Sequence, residues 1–427
     1  MKLSRFGQKI AGDAAIVDLM EDLGDALNVN PDLLFLGGGN PAQVPEFESL
    51  VADHLSAIAR DPERLHKLIG VYQSPQGSEI FIDRLVDYIN DQLGWSISAK
   101  NIAITNGSQS AFFILINLLT GKTNQSSEGG EQPRTLVFPM MPEYLGYSDQ
   151  STEAGVFRSY PPRIVNTGNK RFKYHVDFDA LELSDSDAAL CVSRPTNPTG
   201  NVLSLDELDK LSAMAQEQGI PLIIDCAYGD PFPGIVYDSA PLPYYDNNIY
   251  VLSCSKLGLP GARTGIVIGP EEIVEQVVKA NTVISLANGN LGPVLMTSLL
   301  ESNALPAMCK NTLLPFYRTR RDYALSSIKK HFSGIDYKIH EPEGAFFLWL
   351  WFPSLPITST QLYERMKGKG VLIMDGTHFF FGLSSDGSPE WDHAQQCVRL
   401  TYCQSEEVID SAMQLIAKEL RALTKRE

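Results

Sequence analysis

Cysteine is scarce in this chain and never paired in sequence. Six cysteines are spread over 427 residues (191, 226, 254, 309, 397, 403), with no Cys-x-x-Cys pair. That pattern fits reduced thiols better than a disulfide frame or a structural zinc site. Basic charge is also in short supply: 35 Lys and Arg face 51 Asp and Glu, a net charge of −16. A surface built to hold nucleic acid or anionic membrane is not expected from that balance. No apolar run reaches membrane-spanning length. The first 25 residues gain acids where a signal peptide would carry its apolar core. These absences together predict a cytoplasmic protein with neither membrane nor nucleic acid as partner. No GxGxxG or GxxxxGK frame is present, and there are no internal repeats or low-complexity tracts. A 44% hydrophobic and 20% charged composition is that of a globular enzyme.

What is present is a regular alternation of short apolar runs and amphipathic stretches. Strands are expected at 33–36, 101–105, 136–138, 187–193, 221–224, 249–252 and 265–268, with helices at 47–60, 78–93, 111–119 and 204–218. Ser204 and Glu207 have the spacing of a capping box at the last of these. Residues 14–26 read as an amphipathic helix, and 121–134 as an exposed polar loop. Further on, helices are expected at 271–285, 295–302, 315–331, 361–369 and 406–423. Strands are expected at 337–352, 371–374 and 398–402. Alternation from about residue 70 to 270 implies an α/β fold with a mainly parallel sheet. The expected division is a large domain at 66–300 and a smaller α/β domain from 1–65 and 301–427.

Several polar stretches lie where these strands end, which is where open α/β sheets bind ligands. The run VLSCSKLGLPGARTG places Lys256 directly after a buried strand and among apolar neighbours. Apolar surroundings lower a lysine's pKa, as a Schiff-base nucleophile requires. Ser253, Ser255 and Arg263 nearby could hold a phosphate. A lysine for an aldehyde beside donors for a phosphate suggests pyridoxal phosphate. The same stretch also reads as a buried loop lysine with capping serines. Asn106-Gly107-Ser108-Gln109-Ser110 joins a strand to a helix. That arrangement aims free N–H groups at an anion or is an ordinary helix start. In SRPTNPTGN, two prolines flank Asn197 and fix the backbone on both sides. Asp225 and Tyr228 follow a strand in DCAYG, and GGGNP at 37–41 could bring backbone close to a ligand or form a plain turn.

In combination and order, GGGNPAQ, NGSQSAFF, SRPTNPTGN, DCAYG, SCSKLGLPGARTG and EGAFFLWLWF resemble the class I/II aminotransferases of the large pyridoxal-phosphate fold typified by aspartate aminotransferase. The resemblance runs from about residue 37 to 402. It implies Lys256 as the lysine that binds the cofactor and shuttles the proton, and Asp225 as partner of the pyridine nitrogen. Asn197 and Tyr228 would bond the phenolic oxygen, and Tyr144 would stack on the ring. Gly107, Ser108, Gln109, Ser253, Ser255 and Arg263 would hold the phosphate. Tyr72 would reach the phosphate of a neighbouring subunit, which implies a homodimer with shared sites. Arg399, with Gly39 and Asn40 and beside Asn197, would bind the substrate carboxylate. No metal is expected. The implied reaction moves an amino group from L-valine to pyruvate by a ping-pong route. Another amino donor, or a carbon–sulfur β-lyase on the same fold, is the alternative. A transcription regulator on this fold is disfavoured by the charge. One departure is Asp375-Gly376 where many relatives carry Pro-Gly, which leaves the path of the following loop open. His378 there reads as structural or exposed.

Overall fold

The computed structural model describes residues 2–12, 14, 16, 17, 20, 24, 32–123, 133–238, 241–383 and 392–424. Most of the helix expected at 14–26, and the middle of the loop expected at 121–134, lie outside the described residues.

The larger sheet has seven strands. Their spatial order is Ile102–Thr105, Gly265–Ile268, Ile249–Ser253, Leu222–Asp225, Asp187–Ser193, Thr135–Phe138 and Phe157–Ser159. All neighbours are parallel except Gly265–Ile268, which runs antiparallel to both its partners. Five of these strands are buried along their whole length. Burial on both faces explains why they read as continuous apolar runs and not as alternation. Helices Ser108–Leu119, Leu205–Glu217 and Glu271–Ser285 pack on the sheet or its edges. The capping box forms: Ser204 Oγ accepts from Glu207 N at 3.2 Å, and Ser204 N donates to Glu207 Oε2 at 3.0 Å.

The second sheet has six strands, in the order Met374–Asp375, Cys397–Thr401, Phe347–Trp351, Lys338–His340, Arg171–His175 and Arg163–Gly168. The stretch expected as one strand over 337–352 is two antiparallel strands. The Glu343-Gly344 turn between them cannot extend, because it docks on the loop around Asn197. Glu343 N and Gly344 N both donate to Gly200 O, at 3.1 and 2.9 Å. Gly200 has φ +71°, and a Cβ there would lie 2.7 Å from Gly344 O, so this approach of two backbones requires glycine. The hairpin Arg163–His175 was not expected. Its first strand is polar and largely exposed, so it carries no alternation to read. Pro62–Ile69 is a further helix, capped by Asp61. Val371–Leu372 pairs instead with Leu34–Phe35, in parallel. Helices Leu314–His331 and Glu406–Thr424 pack against each other beside the six-stranded sheet. No helix among the described residues is long and apolar enough to cross a membrane.

Candidate active site

Four strands of the larger sheet end around one cavity of ≈ 150 Å³. Asp187–Ser193 delivers Ser193 and the loop with Asn197. Leu222–Asp225 delivers Asp225 and, after a turn, Tyr228. Ile249–Ser253 delivers Ser253, Ser255 and Lys256. Ile102–Thr105 leads into the helix that starts at Ser108. The cavity is lined by Ser108, Gln109, Tyr144, Asn197, Asp225, Tyr228, Ser253, Ser255, Lys256 and Arg263, all drawn from the sequence expectation, together with Ser193, Pro195 and Ala227.

Lys256 is part-buried at the cavity. Its Nζ donates to Gly39 O at 2.7 Å and lies 5.5 Å from the Tyr228 ring centre and 5.9 Å from that of Phe346. Burial, helped by the nearby Arg399 cation, lowers its pKa to about 8. Asp225 is buried, and burial raises its pKa. Tyr147 OH, 2.5 Å from Asp225 Oδ2, and Ala227 N, donating to Oδ1 at 2.8 Å, pull it the other way. Ser253 Oγ accepts from Ser255 N at 3.2 Å. The Arg263 guanidinium lies so close to Gly107 that a Cβ there would meet Nη2 at 2.2 Å. Gly107, at φ +92°, leaves the start of helix Ser108–Leu119 without a side-chain cap. Its first N–H groups thus open beside two serines and a guanidinium.

Arg399 comes from the other sheet, in register with Trp349 on one side and Met374 on the other. Its guanidinium carbon lies 4.3 Å from the Phe347 ring centre and 5.1 Å from that of Phe379. Nη1 donates to Asn197 Oδ1 at 2.8 Å and Nη2 to Gly37 O at 2.6 Å, while buried Nε has no partner. Burial lowers its pKa to about 10. Asn40 is exposed, next to part-buried Gly39. Tyr72 is not at this cavity: it is 82% exposed and lines a separate surface groove with Arg64, Lys67 and Ser74.

Asp375 settles the path of the loop that follows it. Its carboxylate accepts from Ser359 Oγ (2.6 Å), Thr360 Oγ1 (2.6 Å), Thr377 N (3.1 Å) and Thr377 Oγ1 (2.8 Å). These bonds pin the turn Thr377–Phe379 and set Phe379 beside Arg399. His378 is nearly half exposed, as expected. Sequence reasoning missed Tyr147, Ser193, Phe346 and Phe379 as site residues. Tyr147 stood three residues beyond Tyr144, a spacing that places two rings around one short turn; they meet edge-on at 5.3 Å.

The donor set fits pyridoxal phosphate. A buried carboxylate suits a protonated ring nitrogen, buried aromatic faces suit the ring, and an uncapped helix start with Arg263 suits a phosphate. A part-buried amine of lowered pKa suits an aldehyde.

Comparison with known proteins points the same way. The chain is 42% identical to the valine–pyruvate aminotransferase of Escherichia coli K12 over 98% of both chains. It superposes on the valine–pyruvate aminotransferase of Salmonella typhimurium LT2 with a TM-score of 0.87 at 39% identity, covering 97% of this chain and 100% of that one. It shares the fold of the α-aminoadipate aminotransferase LysN from Thermus thermophilus, solved with N-(5'-phosphopyridoxyl)-L-leucine, at a TM-score of 0.76, 20% identity and coverage of 100% and 98%. The model of the family "Aminotransferase class I and II" matches residues 36–416, and the protein therefore belongs to the class I and II aminotransferases, enzymes that depend on pyridoxal phosphate.

Proposed function

We propose that this enzyme transfers the amino group of L-valine to pyruvate, giving 3-methyl-2-oxobutanoate and L-alanine in a ping-pong cycle. The observation that carries the substrate assignment is the 42% identity, over nearly the whole of both chains, to an enzyme of that name. Bound pyridoxal phosphate supplies the aldehyde that takes up the amino group and the ring that disperses charge from the substrate Cα.

The chain's residues supply the rest. Lys256 in its neutral form is the base for the Cα proton, and its surroundings keep that form accessible near neutral pH. Arg399 orients the substrate carboxylate through a bidentate contact, its guanidinium already held close to the Phe347 and Phe379 rings. Gly39 and Asn40 close the carboxylate side. Asn197 and Tyr228 bond the cofactor's phenolic oxygen, and Tyr144 covers the ring. Gly107, Ser108, Gln109, Ser253, Ser255 and Arg263 hold the phosphate. Asp225 keeps the ring nitrogen protonated. Among the described residues, Arg263 is the only arginine lining the cavity, with Arg399 beside it, which supports monocarboxylic substrates over aspartate or glutamate.

A homodimer is part of the same reading. Ile69, Val71, Tyr72 and Ile80 are exposed, as are Val283, Ile284 and Leu286. Asn290 ties the two segments by donating to Lys67 O and Val71 O, at 2.9 and 2.7 Å. An exposed apolar patch of this kind supports cover by a second copy, which would bring Tyr72 to its partner's phosphate. Six cysteines without a disulfide support a cytoplasmic setting. The division into a large domain at 66–300 and a small one from 1–65 and 301–427 remains our proposal; the hairpin Arg163–His175 is shared with the C-terminal sheet.

The test is a half-reaction followed by visible absorbance. L-valine, L-alanine, L-glutamate and L-aspartate are added separately to the purified enzyme without oxo acid. Valine and alanine should convert the cofactor fastest, and pyruvate should restore it after valine. Faster conversion by glutamate or aspartate would remove the named substrates. Pyruvate and ammonia released from cystathionine without an acceptor would point to a β-lyase instead.

A further inference from the structure

Behind the cavity lies a carboxyl group that the transfer chemistry above does not use. Glu143 is 1% exposed. Its Oε1 accepts from Ser193 N at 2.8 Å, and its Oε2 lies 2.5 Å from Ser193 Oγ. Ser193 Oγ is 3.3 Å from Tyr147 OH, and Tyr147 OH is 2.5 Å from Asp225 Oδ2. Four side chains thus form one line from a buried carboxyl to the carboxylate at the cavity. The main chain of Glu143 is fixed too, its N–H donating to Phe379 O at 3.1 Å. The titratable groups that act on it or feel it are Asp225, Tyr147 and Cys191. No lysine, arginine or histidine among the described residues pairs with it.

Counting protons along this line distinguishes two states. Ser193 and Tyr147 each have one hydroxyl proton. If Glu143 is ionised, Ser193 must donate to it and Tyr147 must donate to Asp225. No proton then lies between the two hydroxyl oxygens, and two carboxylates share one dry region without a cation at Glu143. If Glu143 is protonated, it donates to Ser193 Oγ, Ser193 donates to Tyr147, and Tyr147 donates to Asp225. Each contact then holds one proton, and all donors point toward Asp225. Such an aligned line favours the ionised form of its terminal acceptor.

We infer that Glu143 is a positioning residue that carries a proton and, through Ser193 and Tyr147, holds Asp225 as the anion available to the cofactor's ring nitrogen. The role at the ring nitrogen rests on the aminotransferase reading above; the proton assignment does not. Burial pushes the Glu143 pKa up to about 8, in the same direction.

The first readout is infrared difference spectroscopy of the holoenzyme, wild type minus Glu143→Gln. A carboxylic-acid carbonyl band that shifts in heavy water should be present at pH 6 and 7 and absent from the variant. No such band would overturn the inference, whatever the enzyme transaminates. The band seen in a wild type with no transferase activity would keep the proton assignment and remove the proposed reaction. The second readout is rescue. Glu143→Ala should lower kcat about tenfold or more, as expected when a buried hydrogen-bonded line loses its end. It should also move the pH dependence of the cofactor's visible absorbance. Glu143→Gln, whose amide can donate to Ser193 Oγ and accept from Ser193 N, should restore both to within about threefold. A Gln variant as impaired as the Ala variant would mean that the charge of Glu143 is needed, contrary to the inference. Ser193→Ala removes the hydroxyl between Glu143 and Tyr147 and should move the same absorbance profile; an unmoved profile would equally overturn it.

Discussion

Arg399 Nη1 donates to Asn197 Oδ1 across 2.8 Å, so the residue proposed to bind the substrate carboxylate and the residue proposed to tune the cofactor are one hydrogen-bonded unit. Arg399 is on a strand of the six-stranded sheet and Asn197 in the loop after a strand of the seven-stranded one, 202 residues apart in sequence. Gly37 O takes the other arm of the guanidinium at 2.6 Å. The guanidinium has five N–H donors, so Nε, which has no partner, and the second N–H of each terminal nitrogen remain for a carboxylate, and the shared group couples substrate binding to both Asn197 and the 37–39 loop.

Arg399→Lys is expected to raise KM for both the amino acid and the oxo acid by about tenfold or more. Lysine offers a point charge where the site holds a planar fork close to two rings. Steady-state kinetics with each substrate varied in turn checks this. An unchanged KM for both would assign the carboxylate to another group.

Lys256→Ala should lose the visible absorbance of the lysine-bound cofactor and nearly all turnover, because the residue proposed as both the nucleophile and the base for the Cα proton is gone. Absorbance and single-turnover assays of the purified variant measure it directly. A yellow, active variant would remove Lys256 from the mechanism.

The part-buried lysine also makes a stability prediction for the cofactor-free protein. Its folded pKa, about 8, is below the ordinary lysine value of 10.5, so the unfolded chain binds more protons between those values. Stability therefore rises with pH through that window, and the cost of burying the charge is fully present below pH 8. Cofactor-free Lys256→Met should exceed cofactor-free wild type at pH 7 by on the order of 3 kcal/mol. The difference should shrink as pH rises toward 10, as read by urea unfolding at several pH values.

Two buried histidines set an acid limit. Burial lowers His340 to about 3 and His393 to about 4. His340 Nε2 accepts from Tyr174 N at 3.0 Å, which requires the neutral ring. A base with a depressed folded pKa is protonated in the unfolded chain first. Stability is then lost as pH falls from about 6.5 toward 4. Thermal melts from pH 7 to 4.5 should show the loss, and His393→Gln should flatten part of it.

Asp375→Ala removes the acceptor for four hydrogen bonds at a buried turn. It should destabilise the protein by about 2–4 kcal/mol, the scale of a broken buried network. Because that turn carries Phe379, KM for the amino acid should rise more than kcat falls. Denaturant unfolding and steady-state kinetics together check both effects.

Much of this molecule was readable before its structure. The buried parallel strands announced themselves as short apolar runs, and the helix at 205–217 by its Ser204–Glu207 pair, because these signals are local. Lys256, Asp225 and the residues around Gly107 stood out because each follows a strand end. The hairpin Arg163–His175 was silent: its partners, Lys338–His340 and beyond, lie over 160 residues away, and its exposed strand needs no apolar face. Glu143 was one acid in PMMPEYLGY, with nothing in sequence to name Ser193 as its partner.

By itself, the sequence determined which strands are buried, where each ends, and which reactive groups wait at those ends, because backbone propensity and hydrophobic burial act over a few neighbours. Only the tertiary structure decided that Arg399 lies against Phe347 and Phe379 and is bonded to Asn197, that Asp375 fixes the loop bearing Phe379, and that a buried carboxyl stands in line behind Asp225. Those relationships depend on distances between segments far apart in the chain, and packing alone sets them.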